Sequence, residues 1–440
     1  MNLCRFLIVA LVVMLATTPL APAALAQGSI FIPLLVYRTG PYAPSGIPNA
    51  NGFNDYFTLL NERDGGINGV KIAFEECETQ YDTKQGVECY ERLKARSPVL
   101  VNPFSTGITY QVIPKAPVDK LVVHSMGYGM TATADGRWFA WVFTFPMTYW
   151  SQASAFVKYV GAQEGGLDKL KGKKIVHIFH NSHYGKEANP ALEEISRRHG
   201  IELTLLPVDH PGQEQKATWL QVRRINPDWI YLSGWGVMNQ VAVKEAAAIG
   251  YRMDRMVGNW WSGSESDVVA AGDGAKGYKS MAFHAAGSGF PVHQEVFKHV
   301  YDKGKGAFGT DRARVGEVYY NRTLINAMFN TEAIRTAMGK FGNKPLTGEQ
   351  VRWGFENLNL TEQRLEQLGM KGLMRPLRVT CENHEGNGLA AVQQWDGKQW
   401  KIVSDWIEPM RDVIRPKLEA GAVEEGKKLN YTARDCSKEM

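Results

Sequence analysis

The chain has 440 residues, 44% of them hydrophobic and 22% charged, with a formal net charge of +5. That is the balance of a folded globular chain, too long for one ordinary core and suited to two lobes. The charge excess is small and the Lys and Arg residues are scattered among acids, which gives no nucleic-acid-binding footprint.

Residues 1–26 carry one charge, Arg5, then an apolar run over 6–15, and end in Pro22-Ala23-Ala24-Leu25-Ala26. Ala24 and Ala26 satisfy the small-x-small rule, which predicts a secretory signal peptide cut before Gln27. The apolar run is short for a span of ~20 residues. Everything from Gln27 onward is expected to fold outside the cytoplasm. Cleavage removes Cys4 and leaves Cys77, Cys89, Cys381 and Cys436. Four cysteines in an oxidising compartment predict two disulfides. Of the three pairings, Cys77–Cys89 with Cys381–Cys436 is favoured, because the first pair closes a short loop between a predicted strand and a helix. The spacings lack a Cys-x2-Cys pattern, which argues against zinc.

Apolar strand-like runs alternate with helical patterns. Strands are expected at 30–37, 70–75, 99–101 and 121–124, and helices at 49–64 and 83–95. After Pro146 the pattern restarts: helix 151–160, strand 174–179, helix 184–199, strand 202–206, helix 215–225, strand 229–233, helix 238–249 and strand 255–257. Such alternation argues for right-handed βαβ units and parallel sheets. Helices are expected again at 315–338 and 347–358, then strands 388–394 and 399–403 around the hairpin signal Asp396-Gly397. The tail beyond Trp406 is polar. The expected division is a first lobe of 27–147 with 284–380, a second lobe of 148–283 with 381–415, and a C-terminal tail of 416–440.

Two doubly wound lobes present the carboxyl ends of their strands to one crevice, so the loops after the strands are where a ligand is expected. In the first lobe these are Arg38 to Gly46, Asn102 to Gly107 and Ser125 to Thr131. Hydroxyls and helix-start amides there suit a carboxylate. The second lobe supplies His180 to Gly185, Ser233-Gly234-Trp235-Gly236 and Gly258-Asn259-Trp260-Trp261-Ser262-Gly263. Trp219, Trp229 and Trp353 read as packing. Trp235 and one of Trp260 or Trp261 read as ligand contacts, because glycines flank them at the sheet end.

Rival chemistry is thin. The glycine-spaced loops match neither a dinucleotide fingerprint nor a Walker loop. Ser125 lacks a Gly-x-Ser-x-Gly elbow. His177, His180 and His183 have no acid among them and lie partly on a strand that points side chains to alternate faces. Neither a metal nor a cofactor is expected, and no pair of carboxylates is marked for acid–base catalysis.

At these loops the chain resembles the leucine/isoleucine/valine-binding family of periplasmic substrate-binding proteins, which serve ABC importers. The resemblance rests on Thr39-Gly40-Pro41-Tyr42 with Gly46 and Asn51-Gly52, and on the run Asn61 to Gly69. It rests also on Pro103-Phe104-Ser105-Thr106-Gly107, Phe145-Pro146 with Tyr149, and Asn181-Ser182-His183-Tyr184-Gly185. It covers nearly all of the mature chain. It implies an α/β type I periplasmic binding fold: two doubly wound lobes joined by a three-stranded hinge, closing on a small-molecule ligand. The implied partners are an ABC permease and, through it, cytoplasmic ATPase subunits, and the expected state is a monomer.

The resemblance implies a ligand site at Tyr42, Phe104, Ser105, Thr106, Gly127, Tyr128, Gly129, Tyr184, Trp235 and Trp260. Gly129 stands where amino-acid binders carry a hydroxyl residue. Trp260 stands in the loop where they carry an acid for the ligand's ammonium; Glu265 would reach it if the register slips by a few residues. Two ligand classes stay open: a branched-chain or related amino acid, and an organic acid without an ammonium, with Arg38 as a further carboxylate partner. A ligand-sensing receptor module of the same fold is the alternative to transport.

Overall fold

The computed structural model describes residues 28–438. The predicted signal peptide lies outside the described residues.

The first sheet contains β1 (Ile30–Val36), β2 (Ile72–Glu78), β3 (Leu100–Val101), β4 (Val122–His124) and β5 (Val142–Phe143). Its order is β2-β1-β3-β4-β5, all parallel, with β1 meeting β3 through one bridge from Leu34 to Asn102. All of β1 is buried, as expected of an unbroken apolar run covered by helices on both faces. The second sheet contains β6 (Lys174–His180), β7 (Glu202–Val208), β8 (Trp229–Ser233), β9 (Met256–Gly258) and β10 (Lys279–Ala282). These run parallel in the order β7-β6-β8-β9-β10. A small antiparallel pair follows, β11 (Asn359–Leu360) with β12 (Leu377–Arg378). The hairpin of β13 (Ala391–Trp395) and β14 (Trp400–Ile402) then returns to β10 as an antiparallel edge, turning at Asp396-Gly397 as its sequence predicts.

Both parallel sheets therefore reverse their order once, between β1 and β3 and between β6 and β8. Ligands of doubly wound sheets bind outside the strand ends at such a reversal. The chain crosses between the lobes three times. The crossing at Phe145-Pro146 and the return strand are laced by Thr144 N–H to His384 O (3.0 Å) and Gly388 N–H to Pro146 O (3.1 Å). Thr148 also donates to Glu385 Oε1 at 2.9 Å. The remaining crossing passes through Phe283 and Ala285, where Ala285 N–H reaches Leu373 O at 2.8 Å.

Several boundaries differ from the sequence reading. The first helix spans Ala43–Arg63, beginning before the predicted residue 49. Pro48 removes only one hydrogen bond near the helix start, which the helix tolerates. The single helix expected over 184–199 is two, His183–Lys186 and Asn189–His199. Pro190 explains the break, because its ring in a continuous helix would meet the carbonyl of Lys186. The helix Val318–Phe341 packs on Ala43–Arg63, and Gly52 permits the crossing: a Cβ there would overlap Tyr320 O. The polar tail holds a helix, Arg411–Lys428, which buries Val413, Ile414, Leu418 and Ala422. Its Gly426 abuts Trp138. Cys77 bonds Cys89 and Cys381 bonds Cys436, each pair with Cα atoms 5.8 Å apart. The second bond holds the C-terminal segment near the hinge.

Candidate functional site

A small cavity lies between the carboxyl ends of the two sheets. The first lobe lines it with Tyr37 at the end of β1, Tyr81 after β2, Phe104, Ser105 and Thr106 after β3, and Tyr128 after β4. The second lobe contributes Tyr184 after β6, Trp235 after β8 and Trp261 after β9. Tyr149, just past the first crossing, completes the wall. The cavity thus sits at both strand-order reversals.

The first-lobe wall is held in unusual backbone conformations. Tyr81 and Phe104 have φ of 62° and 52°, and Met126, beside Tyr128, has 44°. Positive φ at bulky residues is uncommon and clusters at ligand clamps. The Tyr128 hydroxyl accepts the Phe104 N–H at 2.9 Å, fixing one loop against the other. Ser105 caps the seven-residue helix Thr106–Val112 through a long bond from Ile108 N–H, 3.4 Å.

In the second lobe Asn259 organises the wall. It exchanges hydrogen bonds with the Tyr184 hydroxyl (2.8 and 3.0 Å) and accepts Trp261 N–H at 2.9 Å. Trp261 O accepts Asn239 Nδ2 (2.8 Å) and the Tyr319 hydroxyl (2.6 Å). Trp235 meets Trp261 edge-on, ring centres 5.3 Å apart. The Trp261 indole N–H has no hydrogen-bond partner. Burial pushes the phenols of Tyr37, Tyr81, Tyr128, Tyr149 and Tyr184 well above their usual range, so all are neutral hydroxyls near neutral pH.

Of the residues expected at the site, Phe104, Ser105, Thr106, Tyr128, Tyr184 and Trp235 come together around the cavity. Four do not line it. Trp260 is fully buried: its backbone N–H donates to Gln152 Oε1 at 2.8 Å, and its ring packs on Phe283 and Tyr149. Gly127 lies against that ring, where a Cβ would stand 2.5 Å from Trp260 Cζ2. Two expected ligand residues therefore pack on each other. Gly129, with φ of 103°, faces the Thr109 side chain. Tyr42 clasps the opposite lobe, its hydroxyl 2.9 Å from His180 Nε2 and 2.8 Å from His210 Nδ1.

Arg38 is also engaged elsewhere, pairing with Glu76 (2.6 and 2.7 Å) and Asn51 (2.8 Å). Glu265 does not reach the cavity. Its Oε2 accepts Val318 N–H at 2.9 Å, and burial pushes its carboxyl up to about 7. Among the described residues no carboxylate lines the cavity. Tyr37, Tyr81 and Tyr149 are wall residues that the loop reading did not select, and of the adjacent pair it left open, Trp261 and not Trp260 lines the cavity. An aromatic at the very end of an apolar run, as at Tyr37, was the available signal; Tyr81 follows β2 in a loop without glycine.

The lobes touch on both sides of this cavity. Besides Tyr42, Glu187 of the second lobe accepts the Tyr110 hydroxyl (2.8 Å) and Thr131 N–H (2.6 Å) of the first. Val237 N–H reaches Pro41 O at 3.2 Å. The conformation is that of a closed cleft.

Comparison with known proteins follows from this geometry. The profile of the family described as "Periplasmic binding protein" matches residues 29–399. A solved chain described as an ABC transporter permease from the Pseudomonas fluorescens group is 42% identical, with TM-score 0.86, over 93% of this chain and 99% of that one. This chain belongs to the periplasmic binding protein family. A branched-chain amino acid ABC transporter protein from Thermus thermophilus with bound valine shares the fold at 19% identity. Its TM-score is 0.73, over 88% of this chain and 99% of that one. So does a fatty acid ABC transporter substrate-binding protein from Thermomonospora curvata, at 18% identity and TM-score 0.71 over 87% and 93%. None of the curated proteins matches the chain. No helix among the described residues of this periplasmic binding protein is long and apolar enough to cross a membrane. Its two lobes, three crossings and interlobe cavity have the type I architecture that the sequence resemblance implied.

Proposed function

We propose that this periplasmic binding protein is the solute-capture component of an ABC importer. It works in the periplasm as a monomer, closes its two lobes on a small carboxylate-bearing ligand, and hands that ligand to a membrane permease driven by cytoplasmic ATPase subunits. It binds and delivers rather than catalyses. The lobes are 27–147 with 284–380 and 148–283 with 381–415.

The observation that carries the ligand reading is the composition of the cavity wall. Hydroxyls of Ser105, Thr106 and the tyrosines, with the unpartnered Trp261 indole N–H, offer donors to a carboxylate. Trp235, Trp261 and Phe104 offer apolar area to the remainder of the ligand. No acid stands ready for an ammonium, and an ammonium without a charge-assisted partner forfeits ~1.5–3 kcal/mol. The wall therefore favours a small organic acid over an amino acid.

The test is calorimetric titration with pairs that differ only in the amino group: 3-phenylpropionate against phenylalanine, and 4-methylpentanoate against leucine. The acids should bind at least tenfold more tightly. Amino acids binding while their deaminated partners do not would overturn the organic-acid reading and restore the amino-acid one.

A further inference from the structure

Among the described residues, one fully buried arginine has no counterion in contact. Arg322, on the helix Val318–Phe341, is fully buried, and its Nη1 and Nη2 have no hydrogen-bond partner. Its Nε reaches His284 Nε2 at 3.3 Å. The guanidinium lies over the rings of Trp261 (5.0 Å), Phe283 (5.2 Å) and Tyr319 (5.4 Å). Trp261 is itself a wall of the interlobe cavity. Arg322 thus stands one indole behind the ligand space.

The groups around it do not neutralise it by contact. His284 Nδ1 faces Ala285 O at 2.8 Å, so its Nε2 is left as the acceptor of the arginine bond. Burial holds that imidazole down at about 3, hence neutral. Tyr149, Tyr184 and Tyr319 are phenols raised by burial and carry no charge near neutral pH. Asp267 acts on the guanidinium through space and not by contact: its Oδ2 accepts Ser264 N–H (2.9 Å) and the Tyr319 hydroxyl (2.9 Å), and its Oδ1 has no hydrogen-bond partner. Burial pulls the guanidinium down only to about 10, so it stays protonated. Removing one partner from a buried ion pair is strongly unfavourable, and aromatic faces compensate a desolvated cation only in part.

We infer that Arg322 is the charge-selecting residue of the site: its guanidinium, which has no counterion in contact, acts through the Trp261 ring and sets the cavity for a ligand of net charge −1. This inference rests on the carboxylate reading above. It adds that selection comes from a charge outside the contact layer, contributed by a helix far along the chain from the ligand loops. The hydroxyls of Ser105 and Thr106 orient the carboxylate, and Arg322 makes the anion preferable to a neutral isostere.

The experiment titrates wild type, Arg322→Met and Arg322→Lys with 4-methylpentanoate against 4-methylpentanamide, and with 3-phenylpropionate against its amide. Wild type should prefer each acid. Arg322→Met should weaken acid binding roughly tenfold to thirtyfold, as expected for a unit charge just beyond the wall in a medium of effective dielectric near 20. Binding of the amides should be unchanged. Arg322→Lys should keep the preference for acid. Equal weakening of acid and amide in Arg322→Met would mark Arg322 as packing only and overturn the inference. If Arg322→Met does not fold, the wild-type preference decides: an amide bound as tightly as its acid overturns the inference while leaving solute capture intact. Wild type that binds neither acid would instead overturn the carboxylate reading itself.

Discussion

The hydroxyl of Tyr42 lies 2.9 Å from Nε2 of His180, joining a first-lobe loop to the end of β6 across the cleft. The same hydroxyl lies 2.8 Å from His210 Nδ1, and the two imidazole rings are 3.9 Å apart. A phenol can donate to one neutral imidazole while accepting from another. Two imidazolium rings in that space repel each other and leave the hydroxyl no nitrogen to donate to. Burial, then the His210 charge, lowers His180 from 6.5 to about 3. A depressed histidine contributes stability that is present above about 6.5 and lost as pH falls toward about 3. Substituting His180→Gln should therefore lower the melting temperature more at pH 7.5 than at pH 5. A deficit that does not shrink on acidification would show that the clasp does not depend on a neutral His180.

Neighbouring tryptophans should separate by effect. Trp260→Ala should cost about 3–5 kcal/mol of stability, as for other fully buried large aromatics, because its ring fills the space between Gly127, Tyr149 and Phe283. Trp261→Phe should keep most of the fold and weaken ligand binding by about a kcal/mol or more. Denaturant melts and titration of the two variants check this. The opposite assignment of effects would put Trp260 in the pocket and Trp261 in the packing.

Gly236 is one of the points where the lobes approach closely. It has φ of 55°, and a Cβ there would stand 2.9 Å from Tyr42 Cα and 3.0 Å from Pro41 O of the other lobe. Gly236→Ala should cost about 1–3 kcal/mol in backbone strain and wedge the cleft open. Small-angle scattering at saturating ligand should show wild type contracting and the variant failing to do so. A variant that contracts normally would show that the loop yields without affecting closure.

Asp55 ties the segment after β10 to the first helix. Its carboxylate accepts the hydroxyls of Tyr301 and Tyr320 (both 2.9 Å) and the N–H of Ala307 (2.8 Å). Burial nevertheless raises it from 3.8 to about 6, so its contribution to stability is present below about 3.8 and lost as pH rises through about 6. Asp55→Asn keeps an acceptor for Ala307 and can donate toward the phenols. Relative to wild type it should gain on the order of 2 kcal/mol between pH 4 and pH 8, measured by chemical denaturation at each pH. A constant difference would mean that Asp55 does not titrate in this range.

Parts of this were legible in the sequence for identifiable reasons. Strands such as 30–36 and 229–233 are buried on both faces and therefore read as unbroken apolar runs. Asp396-Gly397 marks its hairpin because few residue pairs suit so tight a turn. Choosing between Trp260 and Trp261 was beyond the sequence. Adjacent residues at a strand end point to opposite sides, and a bond from Trp261 N–H to Asn259 Oδ1 decides which indole faces the cavity. Tyr42 looked like a ligand residue because its loop does reach the cleft, but its hydroxyl is engaged by two histidines distant in sequence. Arg322 carried no local signal at all. Its position is defined by Phe283, His284 and Trp261, which only the hinge and the helix packing bring together.

The edge-on contact of Trp235 with Trp261 has an optical consequence. Of the twelve tryptophans in the chain, these two line the cavity, their ring centres 5.3 Å apart. Indoles so close couple their excited states, so the pair has a near-ultraviolet dichroic and emission signature distinct from the tryptophans elsewhere. A ligand seated between the lobes changes the polarity against both rings at once. The protein thus carries its own label-free reporter of occupancy, and the cargo of this periplasmic binding protein can be sought by spectroscopy alone.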